Sequence, residues 1–199
     1  MWKLVVLSLF TVTGTSIQLL YPSVYSSWHC VTLALLLFFL LMSEFDSSFD
    51  TLTGLYNRAA FDKATKQMEE SRAFSIIALD INDFKNVNDT YGHDYGDIVI
   101  KKVAAIIQKS FPDHYTCYRF GGDEFIIISD ETDQDKLESY LRAMTDNLTE
   151  ERKEGSPIPT ISYGYSIFRG EEKLDFSKIF KEADDQMYYF KKIQKDDAN

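Results

Sequence analysis

The sequence predicts an α+β domain, a mainly antiparallel sheet flanked by helices, preceded by a pair of apolar helices. Three observations carry this expectation. No Lys, Arg, Asp or Glu occurs from Leu4 to Ser43, so the chain opens on a segment unlike the remainder. From residue 50 onward, short runs rich in β-branched and aromatic residues alternate with longer stretches of helical period. The runs "YTCYRF" and "EFIIIS" flank two glycines, the pattern of antiparallel strands joined by a turn.

The uncharged span exceeds the roughly 20 residues that one membrane crossing takes. It breaks at "YPSVYSSW", where Pro22 and the serines interrupt a helix and the aromatics suit an interface. The expectation is a transmembrane hairpin over 1–43, with helices over 4–20 and 25–42, then a linker over 44–49. Gly14, Ser16 and Gln18 make the first helix the less apolar. A cleaved secretory signal is its alternative reading, although no small-residue cleavage site stands out. Lys3 favours a cytoplasmic N-terminus, and two crossings would return the following domain to the cytoplasmic side of the inner membrane. The loop between the helices is too short for a folded sensor, so any input would come through the helices or a partner protein. The abrupt start also fits a piece of a larger multi-pass receptor.

The remaining elements follow in order. A helix is expected over 57–71 and a buried strand over 74–80, ending in a carboxylate. Two helices come next, "NDFKNVNDTYG" and "DYGDIVIKKVAAIIQKSF", separated at Gly92 and His93. After the glycine hairpin, a charged amphipathic helix runs until Gly155 and Pro157 end it. "IPTISYGYSIF" reads as a strand and "DFSKIFKEADDQMYYFKKIQK" as the last helix. A net charge of −10 argues against a nucleic-acid surface. Cys30 and Cys117 have neither disulfide-framework nor metal-ligand spacing.

The turn "RFGGDEF" would by itself be a solvated hairpin. Its neighbours change that reading. Asp80 ends the first strand of the domain, and Asp123 and Glu124 lie in the hairpin; if these strands share a sheet, the carboxylates converge at one end. Such hard oxygen groups suit magnesium, with manganese as the substitute, and leave positions for substrate phosphates. Glu124 would add a ligand or take a hydroxyl proton. Gly121 and Gly122 let backbone approach a phosphate without a Cβ in the way. Lys85 and Lys191 supply positive charge, and two metals gripping attacking and leaving oxygens is a route to nucleotidyl transfer.

Five stretches, "DTLTGLYNR", "DINDFKNVNDTYGHDYGD", "RFGGDEF", "TISYGYS" and "ADDQMYYFKK", stand in the order and spacing of one family. Over 50–199 the chain resembles the GGDEF family, the diguanylate cyclases. The resemblance implies a fold like the class III nucleotidyl cyclases and the polymerase palm. It implies one GTP per domain, and a homodimer in which two GTP condense to cyclic di-GMP and two pyrophosphates. By position, Asp80, Asp123 and Glu124 would be catalytic, with Asp80, Asp123, Glu124 and the Ile81 carbonyl holding the metal. Asn88 and Asp97 would read guanine, and Lys85, Lys191, Lys195, Gly121 and Gly122 would contact the phosphates. Asp50 and Arg58 would fix the N-terminal turn, Arg119 would pair with a carboxylate, and His93 would be structural.

Three departures from the family pattern matter. Pro112 and Tyr115 stand where many members carry an Arg-x-x-Asp site for product feedback. The usual Gly-Arg-Asn close of the last helix is here Gln194-Lys195-Asp196, which keeps charge but loses the arginine fork. The final edge strand common in the family would be short or absent. The rival reading is a catalytically idle module that binds GTP, or a partner, to regulate something else.

Overall fold

The computed structural model describes residues 2–23, 26–46, 48–68, 73–153, 158–170 and 173–196. The chain divides into two compact units, Met1–Ser48 and Phe49–Asn199.

The first unit is a pair of helices, α1 (Trp2–Leu20) and α2 (Ser26–Asp46), packed against each other. Gln18 Oε1 accepts from both the backbone N–H and the hydroxyl of Ser27, tying the end of α1 to the start of α2. The hydroxyls of Thr11, Thr13, Thr15, Ser16 and Thr32 donate to carbonyls one turn back, so these polar groups are satisfied within their own helices. Large apolar side chains face outward, including Leu19 (78 % exposed) and Phe39 (65 % exposed). The two expected crossings are not supported: among the described residues no helix is long and apolar enough to cross a membrane. In α1 the hydroxyl residues and Gln18 dilute the apolar run. The ends of both expected spans carry side chains that lie outside the described residues.

The second unit is a five-stranded sheet with helices on both faces. Its strands are β1 (Tyr56–Asn57), β2 (Phe74–Ile81), β3 (Thr116–Arg119), β4 (Glu124–Ser129) and β5 (Ile161–Phe168), in the order β1-β3-β4-β2-β5. β2 is antiparallel to both β4 and β5, β3 and β4 form the expected hairpin, and β1 adds parallel to β3. All eight residues of β2 are buried, and their alternation builds two cores. Ile77, Leu79 and Ile81 pack on α5 (His93–Ser110) and α6 (Gln134–Lys153). Phe74, Ile76 and Ala78 pack on α3 (Arg58–Lys66) and α7 (Phe176–Asp196).

The helix ends have local causes. Asn57 caps α3 by accepting from the Ala60 N–H at 3.0 Å. The helix expected over 57–71 stops at Lys66, and part of the stretch beyond it lies outside the described residues. α4 (Phe84–Tyr91) and α5 are divided at Gly92, whose φ of 86° suits a residue without a Cβ. The expectation about a final edge strand falls on residues 197–199, outside the described residues.

Candidate active site

Strand parity decides what Asp80 meets. It follows Phe74, Ile76 and Ala78 at alternate positions of β2 and so points to the α7 side. Glu124 is its register partner on β4 and shares the parity of Ile126 and Ile128 in the same core. Asp123 precedes Glu124 in the turn, and its carbonyl accepts from the Ile81 N–H at 3.1 Å. The sheet thus brings Asp80, Ile81, Asp123 and Glu124 to one end.

Lys191 of α7 donates to Asp80 Oδ1 at 2.5 Å, a contact between residues 111 apart in the chain. Asp80 is 7 % exposed. Burial holds its carboxyl above the ordinary range; Lys191 pulls it back by hydrogen bond and charge, while Asp123 and Asp184 push it further up. Glu124 is raised as well, by desolvation first and then by the charges of Asp123, Asp80 and Asp184, with Lys191 opposing. Among the described residues no three His, Cys, Asp or Glu side chains form a group able to hold a metal ion. The nearest positive charge that the structure gives Asp80 is that of Lys191.

The hairpin turn is built around its glycines. A Cβ on Gly121 would come within 2.5 Å of Glu124 Oε2, so the space above this residue belongs to the Glu124 carboxylate. Gly122 faces open space. Its carbonyl accepts from Arg119 Nη2 at 2.9 Å and Nε at 3.3 Å, while Arg119 Nη1 reaches both Asp50 oxygens, at 3.1 and 3.2 Å. Asp50 also accepts from the Thr53 N–H at 2.9 Å and its hydroxyl at 2.7 Å. Burial would raise the Asp50 carboxyl, but the hydrogen bonds from Thr53 and Arg119 outweigh it and hold the carboxyl below the ordinary range. Asp50 and Arg119 therefore fasten the N-terminal turn to the hairpin, as the sequence suggested. Arg58 lies over the Phe120 ring at 4.5 Å.

At the corner between α4 and α5, Asn88 leans over Gly96. A Cβ there would lie 2.0 Å from the Asn88 side-chain oxygen, so the glycine makes room for that amide. Asp97, the next residue, is exposed beside it. Lys85 is exposed on α4, and His93 begins α5. The side chain of Lys195 lies outside the described residues.

Two features escaped the sequence reading. Asp184 of α7 adds negative charge to both Asp80 and Glu124; its place seven residues, two helical turns, before Lys191 was the available signal. Asn82 is buried beyond the end of β2 with its amide fully engaged. Its Nδ2 donates to Thr160 Oγ1 at 2.8 Å and Gln194 Oε1 at 2.6 Å. Its Oδ1 accepts from the Ser162 hydroxyl at 2.9 Å. Nothing in local sequence links positions 82 and 194.

Known proteins resemble this chain in sequence and in fold. Residues 47–197 match the family described as diguanylate cyclase, GGDEF domain. The chain is 32% identical over 153 residues to diguanylate cyclase VdcA of Vibrio cholerae, covering 74% of this chain and 45% of that protein. It is 31% identical over 165 residues to an uncharacterized membrane protein of Staphylococcus epidermidis, covering 77% of this chain and 46% of the relative. The chain thus spans under half the length of these relatives. Among solved structures, the coiled coil and GGDEF domain of DgcB from Caulobacter crescentus, in complex with c-di-GMP, aligns with a TM-score of 0.69 and 26% identity. That alignment covers 79% of this chain and 87% of the other. With the hairpin, the strand order and the family match all running through the same residues, the chain belongs to the GGDEF family.

Proposed function

We propose that the chain is a diguanylate cyclase that condenses two GTP molecules into cyclic di-GMP. Each catalytic unit holds one GTP, and two copies meet face to face as a homodimer. The 3′-hydroxyl of each nucleotide attacks the α-phosphorus of the other; two O3′–P bonds form and two pyrophosphates leave. The observation that carries this reading is the Asp80–Glu124 register pair, two carboxylates on one face of the sheet with Lys191 bonded to the first.

The residues divide the work by their chemistry. The raised carboxyl of Glu124 makes it a better acceptor for the 3′-hydroxyl proton than an ordinary glutamate. Lys191, Lys85 and Lys195 offer positive charge to the triphosphate, and the open space at Gly122 admits a phosphate close to backbone. Asp97 can accept from guanine N1–H and the exocyclic amine while the Asn88 amide reaches the other edge. Asp80, Asp123, Glu124 and the Ile81 carbonyl are the hard oxygens we assign to a divalent cation, magnesium first and manganese next; their side chains are not gathered into a metal-holding group in this structure, so the ion would have to draw them together. Burial and mutual repulsion keep two of these carboxyls above the ordinary range, a cost that a cation would relieve. Such an ion, when bound, supplies charge neutralisation at the phosphates.

The exposed apolar faces of α1 and α2 need cover, and we assign that cover to the cytoplasmic membrane, with the catalytic unit in the cytoplasm. The name of the staphylococcal relative supports this assignment. A sensor protein would supply the input, and an effector protein would read the product.

The test uses the full chain in lipid vesicles with GTP and Mg²⁺. Cyclic di-GMP and pyrophosphate should appear in a one-to-two ratio, and Asp123→Ala should abolish both. GTP binding without product at high protein density would favour the idle regulatory module instead. Release of the chain by salt without detergent would remove the membrane assignment.

A further inference from the structure

We infer that Gln194 and Asn82 are positioning residues that hold Lys191 in the nucleotide site, an inference that rests on the proposed reading of that site as one for GTP. Two cross-links join α7 to the end of β2. Lys191 meets Asp80 at 2.5 Å, and Gln194 meets Asn82 at 2.6 Å. On the helix the partners are three residues apart and share a face. On the strand side, Asp80 and Asn82 are two residues apart and share the α7 side. The spacings are close enough for the long Lys191 and Gln194 side chains to span: three helical residues rise about 4.5 Å, and two residues at full strand extension, an upper bound for Asp80 to Asn82, about 6.6 Å. The links are therefore successive rungs between one helix and one strand end. One rung resists sliding but permits pivoting; two rungs remove both motions.

The rungs differ in kind. The first is ionic and uses a carboxylate assigned to the site, so substrate must disturb it. The second is neutral and is seated in buried groups on the sheet side, reached by Gln194 from an exposed position on α7. Asn82 is 8 % exposed and Ser162 is fully buried, and the Ser162 hydroxyl sits 2.9 Å from Asn82 Oδ1 and 3.4 Å from Gln194 Oε1. Both Asn82 amide protons and its oxygen are committed, and the Asn82 N–H donates to the Thr160 carbonyl at 2.9 Å. The second rung holds α7 in place while Lys191 exchanges Asp80 for phosphate oxygens.

The experiment measures the Kd of the full chain for a GTP analogue that cannot be cleaved between the α- and β-phosphates. Gln194→Ala and Lys191→Met should each weaken binding about tenfold, and the double variant no more than either alone, because Gln194 acts only through the contact of Lys191 with phosphate. Gln194→Glu, which keeps an acceptor for the Asn82 amide and the Ser162 hydroxyl, should stay within about threefold of wild type; Gln194→Lys should not. Unchanged binding in Gln194→Ala, or losses that multiply in the double variant, would overturn the inference. A wild-type chain that does not bind the analogue would instead overturn the reading of the site.

Discussion

Gly164 and Ala183 meet where β5 passes beneath α7: a methyl group on Gly164 would lie 2.2 Å from the Ala183 carbonyl oxygen and 2.3 Å from the Met187 nitrogen. Both obstacles are backbone, so neither can swing aside. Gly164→Ala should cost about 1–3 kcal/mol of stability by lifting the helix from the sheet. Because that helix carries Lys191, nucleotide affinity should fall with it. Urea unfolding and analogue binding on the same variant check both effects.

Gly122 is the converse case. A methyl group added there would meet nothing within 4 Å, so Gly122→Ala should leave stability within about 0.5 kcal/mol of wild type. If a phosphate packs on this backbone, its affinity for GTP should nonetheless drop. Unchanged unfolding with unchanged affinity would take Gly122 out of the substrate site.

The acidic cluster has a pH signature. Asp80 and Glu124 both titrate above their ordinary values in the folded chain. Between the ordinary and raised values the folded state binds more protons than the unfolded one, so stability should fall as pH rises through that window. Glu124→Gln should flatten the decline. Mg²⁺ should raise the unfolding temperature at neutral pH and lose its effect in acid, where protons compete for the same oxygens. Thermal melts across pH, with and without Mg²⁺, read all three.

Asp50 behaves oppositely. Its carboxyl is held below the ordinary range, so its stabilising contribution is present above the unfolded value and disappears as pH falls through the lowered one. Asp50→Ala removes the acceptor for Thr53 and leaves Arg119 without its carboxylate. A loss of about 2–3 kcal/mol at neutral pH is expected, shrinking in strong acid. Denaturant titrations at two pH values measure it.

Product feedback should be weak. By the sequence resemblance, Pro112 and Tyr115 would stand at the positions of the usual inhibitory pair; neither side chain is a guanidinium or a carboxylate, and Tyr115 is buried. Cyclic di-GMP titrated against initial rate should inhibit only in competition with GTP. Strong non-competitive inhibition would contradict this.

Much of the second unit could be read from composition and period. β4 runs over the residues expected for it, since "EFIIIS" is β-branched and bounded by a turn. β1 escaped notice because two residues carry no period; Tyr56 and Asn57 become a strand only by pairing with Tyr118 and Arg119. The convergence of Asp80 with Asp123 and Glu124 followed from strand pairing and was legible. Its link to Lys191 was not, because the pair is 111 residues apart in the chain and its meeting depends on how closely α7 seats on Gly164. The same holds for Asn82 and Gln194, whose side chains have many possible partners until the tertiary packing selects one.

The complete burial of β2 bears on how the second unit can be tuned. A strand sealed on both faces and hydrogen-bonded along both edges opens only with global unfolding, so its amides should exchange with deuterium as slowly as any in the unit. Asp80 is anchored to the least deformable part of the architecture. Any input would then act by shifting what approaches that anchor, the last turns of α7 or the glycine turn, while the anchor itself stays still.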